Sequence, residues 1–491
     1  MKRRIAVLTF AAAGVLSAQP KIVALPSDSP LITFRLVFQI GAASDPAGKE
    51  GLASMTAAML AQGGTREMTY KQVVDAMFPM ATSVGGRVDK EMTAFTAATH
   101  ADNLEQFYTL FRAMLLDPGW RQEDLNRLKD NAINYLRVTL RGNNDEELGK
   151  EVLFLDLYRN HPYGWHNAGK VSALQRITID DVKEFYRQHY SQANLTIGIA
   201  GGYPKNFPQR LLKDFAQLPV RPATSWSWRE PEPVKGIRVT MVEKDTRGVA
   251  ISMGFPISVR RGHPDYPALL VATACFGQHR TSGGRLYSRL REARGLNYGD
   301  YAYIEYFPDG MYRLEPEPNL GRNGQIFQIW IRPVEPTTAH FALRAALWEY
   351  ERLIRDGLSQ EEFERWRNFV SKNVNLLMRT KSAELGYAID SLYYGIPNYK
   401  EYIQKSLASL TREQVNAAIR RHLQKDNILI VIVGKDCKAL RAALLDNRLS
   451  PMKYNSPKPK EILDEDKLIE RYRIGLTPSA VRIVPAGELF E

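Results

Sequence analysis

Two stretches of the chain carry the same order of polar and apolar positions. From Thr178 to Gly201 the pattern reads as a capped helix, a short turn and a buried strand. From Thr411 to Gly434 it repeats without a gap, at an offset of 233 residues. The matched positions include Val182/Val415, Arg187/Arg420, His189/His422, Asn194/Asn427, Ile197/Ile430, Ile199/Ile432 and Gly201/Gly434. Thr178 and Thr411 stand where an N-cap is needed, each with acid in the first turn to meet the helix dipole. Residues 195–200 and 428–433 are rich in β-branched side chains, as buried strands require. A second echo pairs residues 122–127 with 360–365, both opening long helical stretches. Upstream, residues 31–40 alternate into a strand, 41–46 turn, and 51–62 form a helix rich in Ala, Leu and Met. Residues 237–242 and 249–255 open the second half in the same way, and 266–276 answer the first helix. The fold class is α+β, in two tandem homologous domains, each a mostly antiparallel sheet with helices on one face.

A length of 491 residues admits about three ordinary domains or two large ones, and the repeat selects two. Residues 1–18 read as a signal peptide. Lys2, Arg3 and Arg4 are its basic start, residues 5–16 an apolar run too short to span a bilayer, and Ser17 or Ala18 the cleavage position. The chain is therefore expected to be exported, periplasmic or secreted, with no membrane span. The N-terminal domain then covers 19–218, a linker 219–236, the C-terminal domain 237–447 and a tail 448–491. Four prolines block regular structure in the linker, and Trp226 and Trp228 pin it to a domain surface. The tail ends in the apolar residues Leu489 and Phe490, which need a docking surface. The formal charge of +12 is spread among acids, without the basic stripe or motif that nucleic-acid binding needs. Cys275 and Cys437 cannot build a disulfide framework, and buried thiols suit them.

The stretch Gly51-Leu-Ala-Ser-Met-Thr-Ala-Ala-Met-Leu60 resembles the zinc helix of the insulinase and mitochondrial-processing-peptidase (M16) family of metallopeptidases. There the pattern is Gly-Leu-Ala-His-x-x-Glu-His-Met-Leu. In that family two His four residues apart hold zinc from one helical face, and the intervening Glu is the general base. Here those positions are Ser54, Ala57 and Ala58, and none can ligate or take a proton. The family's third ligand, a Glu, falls by the resemblance in residues 127–137, which hold Asp130 and no Glu. Glu146 and Glu147 lie nearby with nothing to work with. Of the eight histidines, only His161 and His166 are close in sequence, and they flank a His-Pro-Tyr-Gly turn like the family's. His189 and His422, related by the repeat, share a structural role.

Residues 282–298 resemble the family's C-terminal signature, small-Arg-Leu-x-x-x-Leu-Arg-Glu-x-x-Gly-Leu-x-Tyr. The resemblance implies that Arg291 and Tyr298 hold the substrate backbone and polarise the scissile carbonyl. A guanidinium fork and a phenol are donors suited to a developing oxyanion. Arg294, three residues on, lies outside the match and serves as the comparison position. The fold implied is the LuxS/MPP-like metallohydrolase type, with the halves as a clam-like shell hinged at the linker. The function implied is that of the zinc-less subunit of a heterodimeric exported peptidase. It has no cofactor or metal of its own. A homologous partner subunit carries His-x-x-Glu-His and zinc, and an unfolded peptide is the substrate. The alternatives are a structural or assembly protein of the same fold, as the core proteins of the respiratory bc1 complex illustrate, and a stand-alone peptide-binding module.

Overall fold

The computed structural model describes residues 19–224 and 228–491. The expected leader and Trp226 lie outside the described residues. Among the described residues eleven strands form two sheets. In the first half they are β1 (Lys21–Pro26), β2 (Leu31–Phe38), β3 (Val84–Val88), β4 (Thr93–His100) and β5 (Leu195–Gly201), in the order β1-β5-β2-β4-β3. The second half contributes β6 (Arg238–Glu243), β7 (Val249–Ile257), β8 (Asp300–Tyr303), β9 (Gln325–Val334), β10 (Leu429–Gly434) and β11 (Val481–Pro485), in the order β11-β6-β10-β7-β9-β8. Each sheet has one parallel pair in the same place, β1 with β5 and β6 with β10. The added β11 lies parallel to β6, and the remaining pairs are antiparallel. The counterpart of β6 is thus β1, and β7 answers β2. β1 escapes a reading by pattern because its side chains are largely half-exposed.

The repeat is physical. Helices Ile179–His189 and Arg412–His422 both open with a capping box, Thr178 with Asp181 and Thr411 with Gln414. Each leads to a strand buried along its whole length, β5 and β10.

Each sheet carries its own half's helices on one face, and its other face receives one helix from the opposite half. Helix Asp145–Leu157 packs on β7 and β10, and helix Lys381–Tyr394 packs on β5 and β2. Val37 and Ala200 close over Leu385 and Ile389 in a small shared core. The approach is tight enough that a Cβ on Gly198 would lie 2.8 Å from Ile389 Cδ1. The linker is therefore one join among several. The exchanged helices, which have no local sequence signature, hold the halves together more extensively than a hinge would. Trp228 does pin the linker, stacking edge-on to His161 and Tyr163.

The tail packs within the chain, so its apolar end needs no external surface. After helix Lys460–Ile469 and β11, the chain crosses back to the first half. There Val171 N–H donates to the Phe490 carbonyl at 2.8 Å, and the Phe490 ring lies 5.8 Å from that of His166. Glu491 accepts from Arg137 Nε at 3.0 Å and Arg141 Nη1 at 2.6 Å. Among the described residues no helix is long and apolar enough to cross a membrane. Cys275 and Cys437 are both buried and unpaired.

Candidate functional site

Ser54, Ala57 and Ala58 lie on helix Leu52–Gln62. Asp45 anchors its start, accepting from Gly51 N–H and Ala53 N–H at 2.7 Å each and from the Trp165 indole at 3.1 Å. Ser54 and Ala58, one turn apart, are half-buried, and Ala57 is buried. Ser54 Oγ donates to the Asn167 carbonyl at 2.6 Å, which is a packing role. The stretch beside it, residues 127–137, passes from helix Gln122–Asn134 into the π-helix Tyr135–Leu140. Arg127 donates to the Gln62 carbonyl at 2.6 Å and ties the two helices together, while Asp130 points to solvent. At positions 54, 57 and 58 this helix offers a hydroxyl and two methyl groups, and no imidazole or carboxylate.

Glu146 and Glu147 have work after all. Glu146 accepts from Arg332 Nε at 3.0 Å. Glu147 accepts from Lys150 Nζ at 3.0 Å and from Asp309 N–H at 3.1 Å. Both are buried where helix Asp145–Leu157 meets the opposite sheet. His161 and His166 serve their turn: their Nδ1 atoms accept from Tyr163 N–H at 3.0 Å and Ala168 N–H at 2.9 Å. Burial pushes the His166 imidazole down to about 3, so it stays neutral.

The second-half signature folds as a short helical stretch containing the π-helix Tyr287–Glu292, a geometry often found at functional sites. Leu286 and Leu290 are fully buried and fix its inner face. Of its four arginines, three are spent on the fold. Arg285 pairs with Glu362 at 2.7 Å. Arg289 reaches Glu349 at 3.0 Å and also Glu465. Arg294 holds Glu465 at 2.7 Å and Asp466 at 2.8 Å. Arg291 alone of the four has no carboxylate partner among the described residues. Its guanidinium lies 4.6 Å over the Tyr287 ring and donates to that hydroxyl. Arg294 is buried, so it cannot serve as a neutral comparison position: its alanine would strip the buried Asp466 of its guanidinium partner.

Tyr298 projects from the turn that follows, 76% exposed. Its backbone is held firmly. Asn297 Nδ2 donates to Asp300 Oδ1 at 2.7 Å and to the Arg332 carbonyl at 2.9 Å, while its Oδ1 accepts from Gly299 N–H at 3.0 Å. Burial pushes the Asp300 carboxyl up to about 8, consistent with an Oδ2 that has no other partner. The loop thus presents an exposed phenol on a fixed backbone at the start of the edge strand β8.

Sequence reasoning missed one group of side chains. His263 and His422 have ring centroids 5.5 Å apart, and Asp265 lies between them. The shared role expected of His189 and His422 does not hold. His189 packs on Phe185 at 4.5 Å, whereas the second copy has Ala418 at that position and His422 turns to Asp265 instead.

Comparison with known proteins agrees with this picture. A family model described as peptidase M16 inactive domain matches residues 176–370. The protein called non-peptidase homolog YmxG of Helicobacter pylori is 21% identical over 417 residues, covering 83% of this chain and 90% of that protein. The uncharacterized zinc protease YmxG of Bacillus subtilis is 20% identical over 372 residues, covering 75% and 85%. Among solved structures, a peptidase M16 inactive domain from Pseudomonas fluorescens superposes with a TM-score of 0.74 at 22% identity, over 85% of this chain and 96% of that one. The comparisons thus tie residues 176–370 to the peptidase M16 inactive-domain family, and over most of its length the chain shares its fold with solved M16 structures.

Proposed function

We propose that this chain is the zinc-less subunit of an exported two-chain M16 peptidase, and that Arg291 and Tyr298 complete a site whose metal belongs to a homologous partner. The observation that carries the reading is the unpaired Arg291 beside three arginines committed to carboxylates. A stretch kept only for packing has no use for a half-buried guanidinium without an acid or for an exposed phenol. In the complex, zinc on the partner supplies the activated water. This chain's residues bind and polarise: the Arg291 fork and the Tyr298 hydroxyl donate to the carbonyl oxygen of the bond to be cut. The open edge of β8 begins two residues after Tyr298, where an extended peptide can add as a strand through main-chain hydrogen bonds.

The test is reconstitution. The mature chain alone hydrolyses no unfolded peptide, and hydrolysis appears when a homologous exported chain carrying His-x-x-Glu-His is added. Chelator-sensitive hydrolysis by this chain alone overturns the reading, as does a partner whose turnover is indifferent to this chain. The second reading, a structural protein of the same fold, draws on the extensive join between the halves. It expects Arg291 and Tyr298 to be replaceable without effect on any turnover.

A further inference from the structure

We propose that His263, Asp265 and His422 bind a borderline divalent cation of the Zn²⁺ class, at a corner of the second half that is distinct from the degenerate motif on helix Leu52–Gln62. One potential ligand atom from each residue lies within 4.8 Å of the other two. Modest side-chain rotations bring all three onto a single ion with bonds of ~2.0–2.2 Å. Two imidazoles and one carboxylate suit zinc, copper or nickel, whereas magnesium and calcium prefer oxygen donors throughout.

The side chains are already oriented toward one another. His422 Nε2 is 2.7 Å from Asp265 Oδ2, the geometry a shared ion replaces with two metal–ligand bonds. His263 Nδ1 accepts the Asp265 N–H at 3.0 Å, which leaves its Nε2 available as the outward ligand. Among the described residues nothing donates to Asp265 Oδ1. Two rigid elements hold the set: Asp265 immediately precedes helix Tyr266–Gly277, and His422 is the last residue of helix Arg412–His422. The C-terminus of helix Arg412–His422 adds partial negative charge beside the cation, offset by the N-terminus of helix Tyr266–Gly277 at Asp265. All three residues are half-exposed, and His422 opens on a groove walled by Pro231, Pro233 and Ser258, so an ion has access.

The cluster is not a requirement of the fold. At the equivalent corner of the first half, Gly51 precedes the helix and Lys49 stands two residues earlier, where the second half has Asp265 and His263. The repeat folds there with no counterpart of Asp265 or His263: Asp45 holds the helix start from six residues away, and His189, the match of His422, packs on Phe185. One group opposes the ion: Arg421 donates to Asp265 Oδ2. Its side chain is largely exposed, and such exposed pairs hold their carboxylate weakly.

That opposition supplies a sharp test. Zinc chloride is titrated calorimetrically into the chelator-treated mature chain, with melting temperature measured for every variant. One ion binds per chain. His263→Ala and His422→Ala each weaken binding by at least about tenfold, the smallest cost usual even for residues that only support a ligand. Arg421→Gln tightens binding several-fold by freeing the carboxylate, and copper(II) bound at the site shows two-nitrogen hyperfine structure. Asp265→Asn keeps the shape and loses affinity, so a fold defect in either alanine variant does not obscure the result. Absence of binding, or binding indifferent to both histidines and to Arg421, overturns the proposal. Neither outcome bears on peptide hydrolysis with the partner, which depends on Arg291 and Tyr298.

Discussion

Tyr298→Phe removes one hydroxyl and keeps the ring. In the reconstituted peptidase it lowers kcat by the ~10²–10³ usual for one oxyanion donor. The melting temperature stays unchanged, because the side chain is exposed and its hydroxyl has no hydrogen-bond partner among the described residues. Arg291→Lys keeps the charge, loses the planar fork and also impairs turnover. Normal turnover in both variants removes them from the site. The proper contrast is Arg294→Ala, which melts early because the buried Asp466 loses its guanidinium partner, while Glu465 keeps Arg289 and Arg352. Only half of this distinction was legible in the sequence. The signature is contiguous, so Arg291 and Tyr298 could be read from it directly. That Arg285, Arg289 and Arg294 are structural could not, since their acids lie 60 to 176 residues away along the chain. The same limit hid His422 from Asp265, 157 residues apart. Asp300, under the Tyr298 loop, makes a prediction about pH. Its folded-state carboxyl is pushed up to about 8, so between the ordinary aspartate range and that value the folded chain holds a proton the unfolded chain has released. Stability from this group is full at low pH and falls as pH rises toward 8. Asp300→Asn flattens that fall in thermal melts at pH 5 to 8. An identical slope in wild type and variant rejects the assignment.

At the scale of elements, helices and strands with strong periodicity were readable, and their caps with them. Thr178→Ala and Thr411→Ala each remove the acceptor of a complete capping box and cost ~1 kcal/mol in denaturant melts, within the usual 0.5–2. A cost near zero at both means that water caps the helices equally well. Strands β1 and β11 were not readable as sheet members, because both are short and much of their surface stays exposed. They are strands by virtue of their neighbours, β5 and β6. The final residues act as a strap from the second sheet to the first half. Removal of residues 489–491 deletes the acceptor of the Val171 N–H and the carboxylate shared by Arg137 and Arg141. Hydrogen exchange then speeds up at Val171 and across residues 135–141, while β6 and β10 keep their protection. Unchanged exchange in the first half shows that the strap carries no load.

At the scale of the whole molecule, the two halves meet across a buried ion pair, Asp89 of the first half with Arg322 of the second. Helices Asp145–Leu157 and Lys381–Tyr394 cross to opposite sheets. Arg322 Nε donates to Asp89 Oδ2 at 2.7 Å, and the guanidinium lies 3.6 Å from the Tyr306 ring centroid. Glu91 alongside accepts from Asn323 N–H at 3.0 Å. Asp89 and Arg322 are buried almost completely, so neither charge has water to fall back on. Removing one partner leaves the other stranded, at a cost of ~3–5 kcal/mol for Arg322→Met or for Asp89→Leu. Removing both leaves no stranded charge. The double variant therefore recovers most of the loss, and the cycle gives a coupling energy of several kcal/mol. Because the pair belongs to both halves, each single variant lowers one shared unfolding transition. Two separate transitions, with only one moved, would mean that the halves fold as independent bodies and that the buried pair is incidental. A single transition with strongly non-additive losses makes the buried pair the point at which the duplicated halves recognise each other.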